Sequence, residues 1–198
     1  MIIRSMGKMD CARVVDIHLR SFQGFFLTFL GPSFISLLYC ATIKDIGGVA
    51  LVAEQRNKVC GFVTGTTQPF SFYKRLVKEH LFGFFWASLQ GFLRNPAILP
   101  RLLRSFTMPG QPLPTEKCAT LMSLAVDPDC QGIGIGKLLV LAFLDEAKKS
   151  GCFSVNLTTD AVNNDGINKF YERLGFSLYR SFLTPEKRLM NEYILKFD

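Results

Sequence analysis

The sequence predicts an α/β fold in a single domain that spans residues 1–198. An apolar, β-prone run over Cys118–Val126 leads through a glycine-rich turn into a helix, and a second strand and helix follow over Phe153–Leu174. Shorter apolar runs on either side predict further strands, some of them paired as hairpins. With 198 residues and 48% hydrophobic composition, the chain can bury one substantial core.

The N-terminal part predicts one short strand followed by two helices. Ile2–Arg4 is the strand, and Cys11–Ser21 is the first helix. The stretch from Ser21 to Ile43 contains no charged residue, and it is long enough to cross a bilayer as a helix. The dipeptide Gly31-Pro32 interrupts this stretch, so we predict a second, amphipathic helix over Pro32–Ile43 instead of a membrane span.

The remaining strands are predicted as two antiparallel pairs on either side of the glycine-rich turn. Val49–Glu54 and Val59–Thr67 form a hairpin across the polar turn at residues 55–58. Phe176–Phe182 and Met190–Phe197 form a closing antiparallel pair.

The glycine-rich turn carries the strongest functional signal. Residues 126–137 are Val-Asp-Pro-Asp-Cys-Gln-Gly-Ile-Gly-Ile-Gly-Lys, and apolar residues at helical spacing follow. Glycine permits tight bends and close backbone approach, and the first N–H groups of a helix have no intrahelical partner. The spacing matches neither the dinucleotide-binding G-x-G-x-x-G nor the phosphate loop of nucleotide triphosphatases. We therefore predict a site for the phosphate or pyrophosphate of a cofactor, with an unliganded turn as the alternative.

A second motif follows the first. Phe153–Thr159 is a β-type run, Asn163-Asn164-Asp165-Gly166 opens a helix, and the helix continues over Ile167–Leu174. The combination of Q-G-x-G-I-G in the turn with N-x-x-x-x-x-F-Y-x-x-x-G-F on this helix resembles the GNAT superfamily of acyl-CoA-dependent N-acetyltransferases. The detailed resemblance covers about Leu121–Phe176.

This resemblance implies a GNAT-type mixed, mostly antiparallel sheet flanked by helices, and acetyl-CoA as the acyl donor. The pantetheine arm would lie along Leu124, Ala125 and Val126, where a backbone N–H would also stabilise the oxyanion. The thiol arm would pass near Asn164, whose alternative role is to cap its helix. Tyr171 would donate a proton to the leaving sulfur, and the alternative is a tyrosine that only fills the core. The pyrophosphate would bind Gln131, Gly132, Ile133, Gly134, Ile135, Gly136 and Lys137.

The general base is left open by the sequence. Cys118–Val126 carries no acid, although many members of the family have a glutamate on this strand. The candidates are Glu116, Asp160 and His18, with Ser123 able to hold a relay water. Each candidate also has a plainer interpretation, as an exposed charge, a turn residue and a helix-surface histidine respectively. The two histidines have no metal-ligand spacing, so we expect no bound metal.

An aromatic and basic segment, Gln68–Glu116, is additional to the compact family core. It predicts a helical insert packed on the sheet with a solvated basic face. The alternatives are a lid over the acceptor site and a peripheral membrane-surface element, because basic aromatic helices favour anionic lipid. No nucleic-acid recognition motif accompanies the charge, so we expect no nucleic-acid partner. Its basic residues include Arg94, Arg101 and Arg104.

These features predict an N-acetyltransferase that moves an acetyl group from acetyl-CoA to a primary amine by direct transfer in a ternary complex. Phe22–Pro32 lies where the family's acceptor loop is expected and resembles members encoded with surface-polysaccharide biosynthesis. That resemblance implies a small-molecule acceptor, an amino sugar that is often nucleotide-linked. A catalytically silent acyl-CoA-binding or membrane-surface module with the same fold is the alternative. Six cysteines without a C-x-x-C pair, and no secretory signal, predict a cytoplasmic location.

Overall fold

The computed structural model describes residues 1–94 and 117–197. Its seven strands are β1 (Ile2–Ser5), β2 (Gly48–Gln55), β3 (Lys58–Thr66), β4 (Cys118–Val126), β5 (Ser154–Asp160), β6 (Ser177–Leu183) and β7 (Leu189–Lys196). They form one sheet in the order β1-β2-β3-β4-β5-β7-β6. Within the described residues only β4 and β5 are parallel neighbours. The predicted mixed, mostly antiparallel sheet is therefore confirmed.

Helices flank this sheet at nearly the predicted positions. They are α1 (Cys11–Ser21), α2 (Phe26–Leu30), α3 (Pro32–Lys44), α4 (Pro69–Arg94), α5 (Ile135–Lys149) and α6 (Asp165–Arg173). The first helix has the predicted bounds, and α3 begins at the predicted proline. The short helix α2 was not predicted, because five apolar residues carry no periodicity that separates a helix from a loop.

Helices cover both faces of the sheet because neighbouring residues of a strand point to opposite faces. Leu139 and Phe143 of α5 share a buried cluster with Val63 of β3. The adjacent Phe62 belongs instead to the cluster that contains Tyr39 of α3 and residues of α1. Strand β3 therefore anchors α5 on one face and the α1–α3 layer on the other.

The sheet opens at β4, and this opening creates the site. Strand β4 pairs with β5 only as far as Leu121, yet β4 continues to Val126 and β5 to Asp160. On its other side β4 stays paired with β3 to its end, with Met122 as an extra residue in the ladder. A bulge of this kind bends a strand. Beyond Leu121, the β5-facing edge of β4 has no ladder partner among the described residues.

The described part of the predicted insert is the helix α4, whose backbone is non-helical at His80. Phe72, Leu76 and Phe84 belong to a buried cluster with residues of α2 and α3. The described helix α4 therefore packs mainly on α2 and α3, and Met122 of β4 also packs against this cluster. None of the described helices combines the length and the apolar character needed to cross a membrane. The insert residues outside the described part include Arg101, Arg104 and Glu116.

Candidate active site

A cavity of about 870 Å³ lies between the diverging ends of β4 and β5. This volume is within the usual range for sites that bind small molecules. The end of α1 and the segment after it line one part of the cavity, and β4, the glycine turn and α6 line another. The predicted site residues that line it are Leu124, Ala125, Val126, Gln131, Gly132, Gly136, Asn164 and Tyr171.

The free edge of β4 is the first feature of this cavity. A strand edge without a partner presents backbone N–H and C=O groups that an extended chain can bond as an added strand. The side chains of Ser21 and Gln131 make long contacts with the Val126 carbonyl, each of 3.5 Å, from Ser21 Oγ and Gln131 Nε2. The β5-facing edge of β4 beyond Leu121 can therefore accept an extended ligand as an added strand.

The glycine turn is the second feature. Gly132 and Gly134 have φ values of 84° and 82°, in the left-handed region that favours glycine. A Cβ at either position would meet no protein atom within 4 Å, so backbone conformation and not crowding requires glycine here. Gly134 is the N-cap of α5, and no side chain caps this helix. The first turn of α5 thus has uncapped N–H groups, which suit an anion.

Four of the predicted pyrophosphate residues do not line the cavity itself, and all four belong to the outer part of the turn or the start of α5. The Ile135 side chain is 2% exposed and packs in the core, so only its backbone N–H is available to a ligand. The side chains of Ile133 and Lys137 are exposed. The four are Ile133, Gly134, Ile135 and Lys137.

Asn164 occupies the N-cap position of α6, but its side chain does not cap the helix. Its Nδ2 donates instead to Thr159 Oγ1 at 2.8 Å and to the Asp160 carbonyl at 3.0 Å. The side-chain cap considered from the sequence is therefore wrong. These two bonds fix the amide at the end of β5 and leave its Oδ1 as the atom that a ligand could use.

Tyr171 lies in the cavity wall and is also part of the core. Its ring is 6% exposed and contacts the rings of Phe170, Phe176 and Tyr193 at 5.1, 5.8 and 6.5 Å between centroids. Burial raises the pKa of its hydroxyl above the ordinary value near 10. The phenol is therefore protonated at neutral pH, which is the state that a proton donor requires.

The candidates for the general base have different surroundings. His18 is 2% exposed, so its interpretation as a helix-surface residue is wrong, and it lines the cavity. Desolvation lowers the pKa of His18 to about 4. Asp160 is the last residue of β5 rather than a turn residue, and its Oδ2 lies 2.6 Å from Arg188 Nη2. Glu116 lies outside the described residues.

Asp127, directly after β4, connects the site to α1. Its side chain is fully buried and forms ion pairs with Arg13 and with Arg20, whose Nη1 lies 2.9 Å from Oδ1. Burial by itself would raise the pKa of Asp127. The hydrogen bond from the Asp129 N–H and the charges of Arg13, Arg20 and Lys58 outweigh it and lower that pKa.

We expect Asp127→Asn to destabilise the fold by about 1–3 kcal/mol, because both arginines lose their charged partner. A carboxyl whose pKa is lowered by folding stabilises the protein above its unfolded pKa of about 3.9, and this contribution disappears as the pH falls through the folded pKa. The difference in melting temperature between wild type and variant should therefore shrink below about pH 4.

Thermal denaturation between neutral and acidic pH measures this difference. The matched control is Asp129→Asn, because Asp129 also pairs with Arg20 but its side chain is 65% exposed. We expect that control to change stability by less than about 1 kcal/mol. Equal losses from the two variants would contradict a special role for the buried carboxylate.

The other end of the cavity is lined by part of the predicted acceptor segment Phe22–Pro32 and by Arg188, which was not predicted. Phe22 and Phe25 line it, with ring centroids 5.5 Å apart. The Arg188 guanidinium lies 5.1 Å from the Phe25 ring centroid and is also paired with Asp160. Arg188 precedes β7, and nothing in its local sequence indicates that the chain brings it to this cavity. The aromatic residues Phe22 and Phe25, by contrast, belong to the segment that was predicted to face the acceptor.

The sequence model of the acetyltransferase (GNAT) family matches residues 12–176 of this chain. A mycothiol acetyltransferase from Actinosynnema mirum is 38% identical over 66 residues, or 33% of this chain and 22% of that protein. The ribosomal protein bS18-alanine N-acetyltransferase of Escherichia coli strain K12 is 42% identical over 59 residues, or 30% of this chain and 39% of that protein. The matches thus span well under half of each relative.

A solved structure matches over the whole chain. The structure of yncA from Salmonella typhimurium with its cofactor acetyl-CoA has a TM-score of 0.63 and 16% identity to this chain. It covers 100% of this chain and 94% of that chain. At this identity the likeness shows a shared fold.

Proposed function

The chain belongs to the acetyltransferase (GNAT) family, and we propose that it transfers an acetyl group from acetyl-CoA to a primary amine in a ternary complex. The observation that carries the proposal is the free edge of β4 beside the uncapped start of α5. A strand edge can bond the extended pantetheine arm, and helix N–H groups can bind a pyrophosphate. CoA is a ligand that has both groups in one molecule.

Each part of CoA has a counterpart in this proposal. The backbone of Leu124, Ala125 and Val126 bonds the pantetheine arm, and the backbone from Gln131 to Lys137 surrounds the pyrophosphate. Asn164 Oδ1 accepts from an amide N–H of the thiol arm. The residues fit the ligand because a Cβ at Gly132 or Gly134 would point into space that is otherwise free of protein atoms.

The chemistry then follows from the groups in the cavity. The amine attacks the thioester carbonyl, and a backbone N–H of the β4 edge stabilises the oxyanion that develops. Tyr171 donates its proton to sulfur as the carbon–sulfur bond breaks. Burial raises the pKa of its hydroxyl, so the phenol is protonated at neutral pH when the thiolate begins to form.

For the acceptor we propose an amino sugar. Two observations support this choice: Phe22 and Phe25 offer aromatic surface against which the apolar face of a sugar ring can pack, and Arg188 and Asp160 offer polar groups beside it. The Asp160 carboxylate is paired with the Arg188 guanidinium. Among the described residues, this end of the cavity therefore has no unpaired carboxylate that would attract a polycationic amine. The acceptors named for the relatives provide the competing hypothesis, an amine on a peptide or a thiol conjugate.

The test is thiol release from acetyl-CoA in the presence of a panel of primary amines. The panel contains glucosamine, UDP- and dTDP-linked amino sugars, a peptide with an N-terminal alanine, and spermidine. We expect release that depends on the amine, fastest with an amino sugar. Fastest release with the peptide would overturn the acceptor proposal alone. Binding of CoA without release for any amine would favour the silent acyl-CoA-binding alternative.

A further inference from the structure

The Arg188 guanidinium lines the cavity and has hydrogen-bond donors to spare. Its Nε donates to Asp160 Oδ1 at 3.2 Å, and its Nη2 donates to the two carboxylate oxygens of Asp160 at 2.8 and 2.6 Å. Nη1 makes no hydrogen bond to any of the described residues. The N–H groups of Nη1 are therefore available to a ligand in the cavity.

The rest of Arg188 is held in one orientation. Asp160 bonds one edge of the guanidinium, and the guanidinium carbon lies 5.1 Å from the centroid of the Phe25 ring. The backbone is fixed as well, because the Arg188 carbonyl accepts from the Thr184 N–H at 2.9 Å and the Arg188 N–H donates to Thr184 Oγ1 at 3.2 Å. An arginine normally loses much rotamer freedom when it binds a ligand, and here that loss has occurred on folding.

The charges of the cavity wall are compatible with a bound anion. Among the described residues that line it, Arg20 and Arg188 are cationic at neutral pH and Asp160 is anionic. Arg20 is paired with Asp127 and Asp129, and neither of these carboxylates lines the cavity. Asp160 is paired with Arg188 itself. An oxyanion at Arg188 Nη1 therefore meets no unpaired carboxylate in the described part of the wall.

We propose that Arg188 Nη1 binds an oxyanion of the acceptor, so that the preferred acceptor carries a phosphate or a carboxylate in addition to its amine. This binding role rests on the proposed acetyl transfer and defines the acceptor more narrowly than a sugar ring does. A guanidinium suits both groups, because its N–H donors make charge-assisted hydrogen bonds to phosphate and carboxylate oxygens. A nucleotide-linked amino sugar supplies a phosphate, and an amino acid supplies a carboxylate.

The experiment compares acceptors that differ only in an acid group, by the rate of thiol release from acetyl-CoA. Glucosamine and glucosamine 1-phosphate form the phosphate pair, and alaninamide and alanine form the carboxylate pair. We expect the wild-type protein to have a kcat/KM that is higher by about 10-fold or more for the acid-bearing member of at least one pair, as one charge-assisted hydrogen bond provides. The pair that shows this preference identifies the source of the oxyanion.

Arg188→Gln should abolish the preference. The variant keeps a polar side chain without the charge, and we expect the ratio of the two kcat/KM values within the pair to fall by about 10- to 100-fold. Because this ratio is compared between variants, differences in the reactivity of the two amines cancel. KM for acetyl-CoA should change little, since the acid group belongs to the acceptor.

Arg180→Gln is the matched control. The Arg180 Nε donates to a carboxylate, Glu192 Oε2, at 2.6 Å, and its guanidinium carbon lies 5.9 and 5.5 Å from the ring centroids of Tyr179 and Phe182. Arg180 is not one of the described residues that line the cavity. Its substitution also breaks an arginine–carboxylate pair, so we expect a loss of melting temperature without a change in the acceptor preference.

The outcomes separate the acceptor subsite from the acetyl transfer. Thiol release without a preference in either pair, or Arg188→Gln with the preference of the wild type, would overturn the oxyanion subsite and leave the acetyltransferase proposal intact. If Arg188→Gln does not fold, the preference of the wild-type protein still decides the matter. A wild-type protein that releases no thiol with any amine would overturn both proposals.

Discussion

Tyr171→Phe should lower kcat by about 10²- to 10⁴-fold, because the substitution removes the proton that the leaving thiolate needs and keeps the ring. The ring contacts with Phe170, Phe176 and Tyr193 do not involve the hydroxyl. We therefore expect the melting temperature and the affinity for CoA to stay close to those of the wild type. Steady-state thiol release, thermal denaturation and calorimetric titration with CoA measure the three quantities.

Two results would identify Tyr171 as a core residue only. The first is turnover equal to that of the wild type. The second is a loss of turnover that is matched by a loss of melting temperature, since a misplaced ring would affect both. Tyr193→Phe serves as the control, because it removes a neighbouring buried hydroxyl that does not line the cavity.

Gly134→Val should weaken CoA binding by about 10- to 100-fold. A β-branched residue resists the left-handed backbone at φ 82°, and a shift of the turn misdirects the N–H groups that bind the pyrophosphate. Loss of one or two hydrogen bonds to a charged group is worth about 1.5–3 kcal/mol, and each 1.4 kcal/mol is a factor of ten in affinity. Calorimetric titration with CoA gives the result directly.

Gly151→Val is the control that separates a loss of CoA binding from the effect of backbone strain alone. Gly151 follows the other end of α5, has φ of 75°, and would also place a Cβ where no protein atom lies within 4 Å. Its substitution should cost similar stability and leave CoA affinity unchanged, because it lies at the opposite end of α5 from the glycine turn. Equal affinities for the two variants would mean that the turn at Gly134 binds no pyrophosphate.

The sequence allowed the fold to be predicted where local patterns decide the structure. The strand Cys118–Val126, the helix Cys11–Ser21 and the start of α3 at Pro32 all have the predicted positions. Apolar periodicity and turn residues act over a few residues, so a single sequence contains them. Local patterns do not show which elements α4 packs against, because an apolar helix face fits a sheet or another helix equally well.

The candidate site was predictable in its CoA half and, on the acceptor side, only in the segment Phe22–Pro32. The glycine turn and the motif around Tyr171 are local, and residues of both line the observed cavity. Arg188 reaches Asp160 and Phe25 from a distant turn, and such a contact depends on tertiary packing alone. His18 was misjudged for the same reason, since the polarity of a residue on an amphipathic helix does not reveal that α3 covers it.

Mass spectrometry of the protein and the amine after a single turnover tests the central claim most directly. Protein saturated with acetyl-CoA is mixed with the fastest amine of the panel and quenched at intervals. Direct transfer in a ternary complex predicts that the amine gains one acetyl group in step with the release of CoA, while the mass of the protein stays unchanged. An acetylated protein that forms before the product would contradict direct transfer. Bound acetyl-CoA that leaves every amine unmodified would contradict the proposed activity itself.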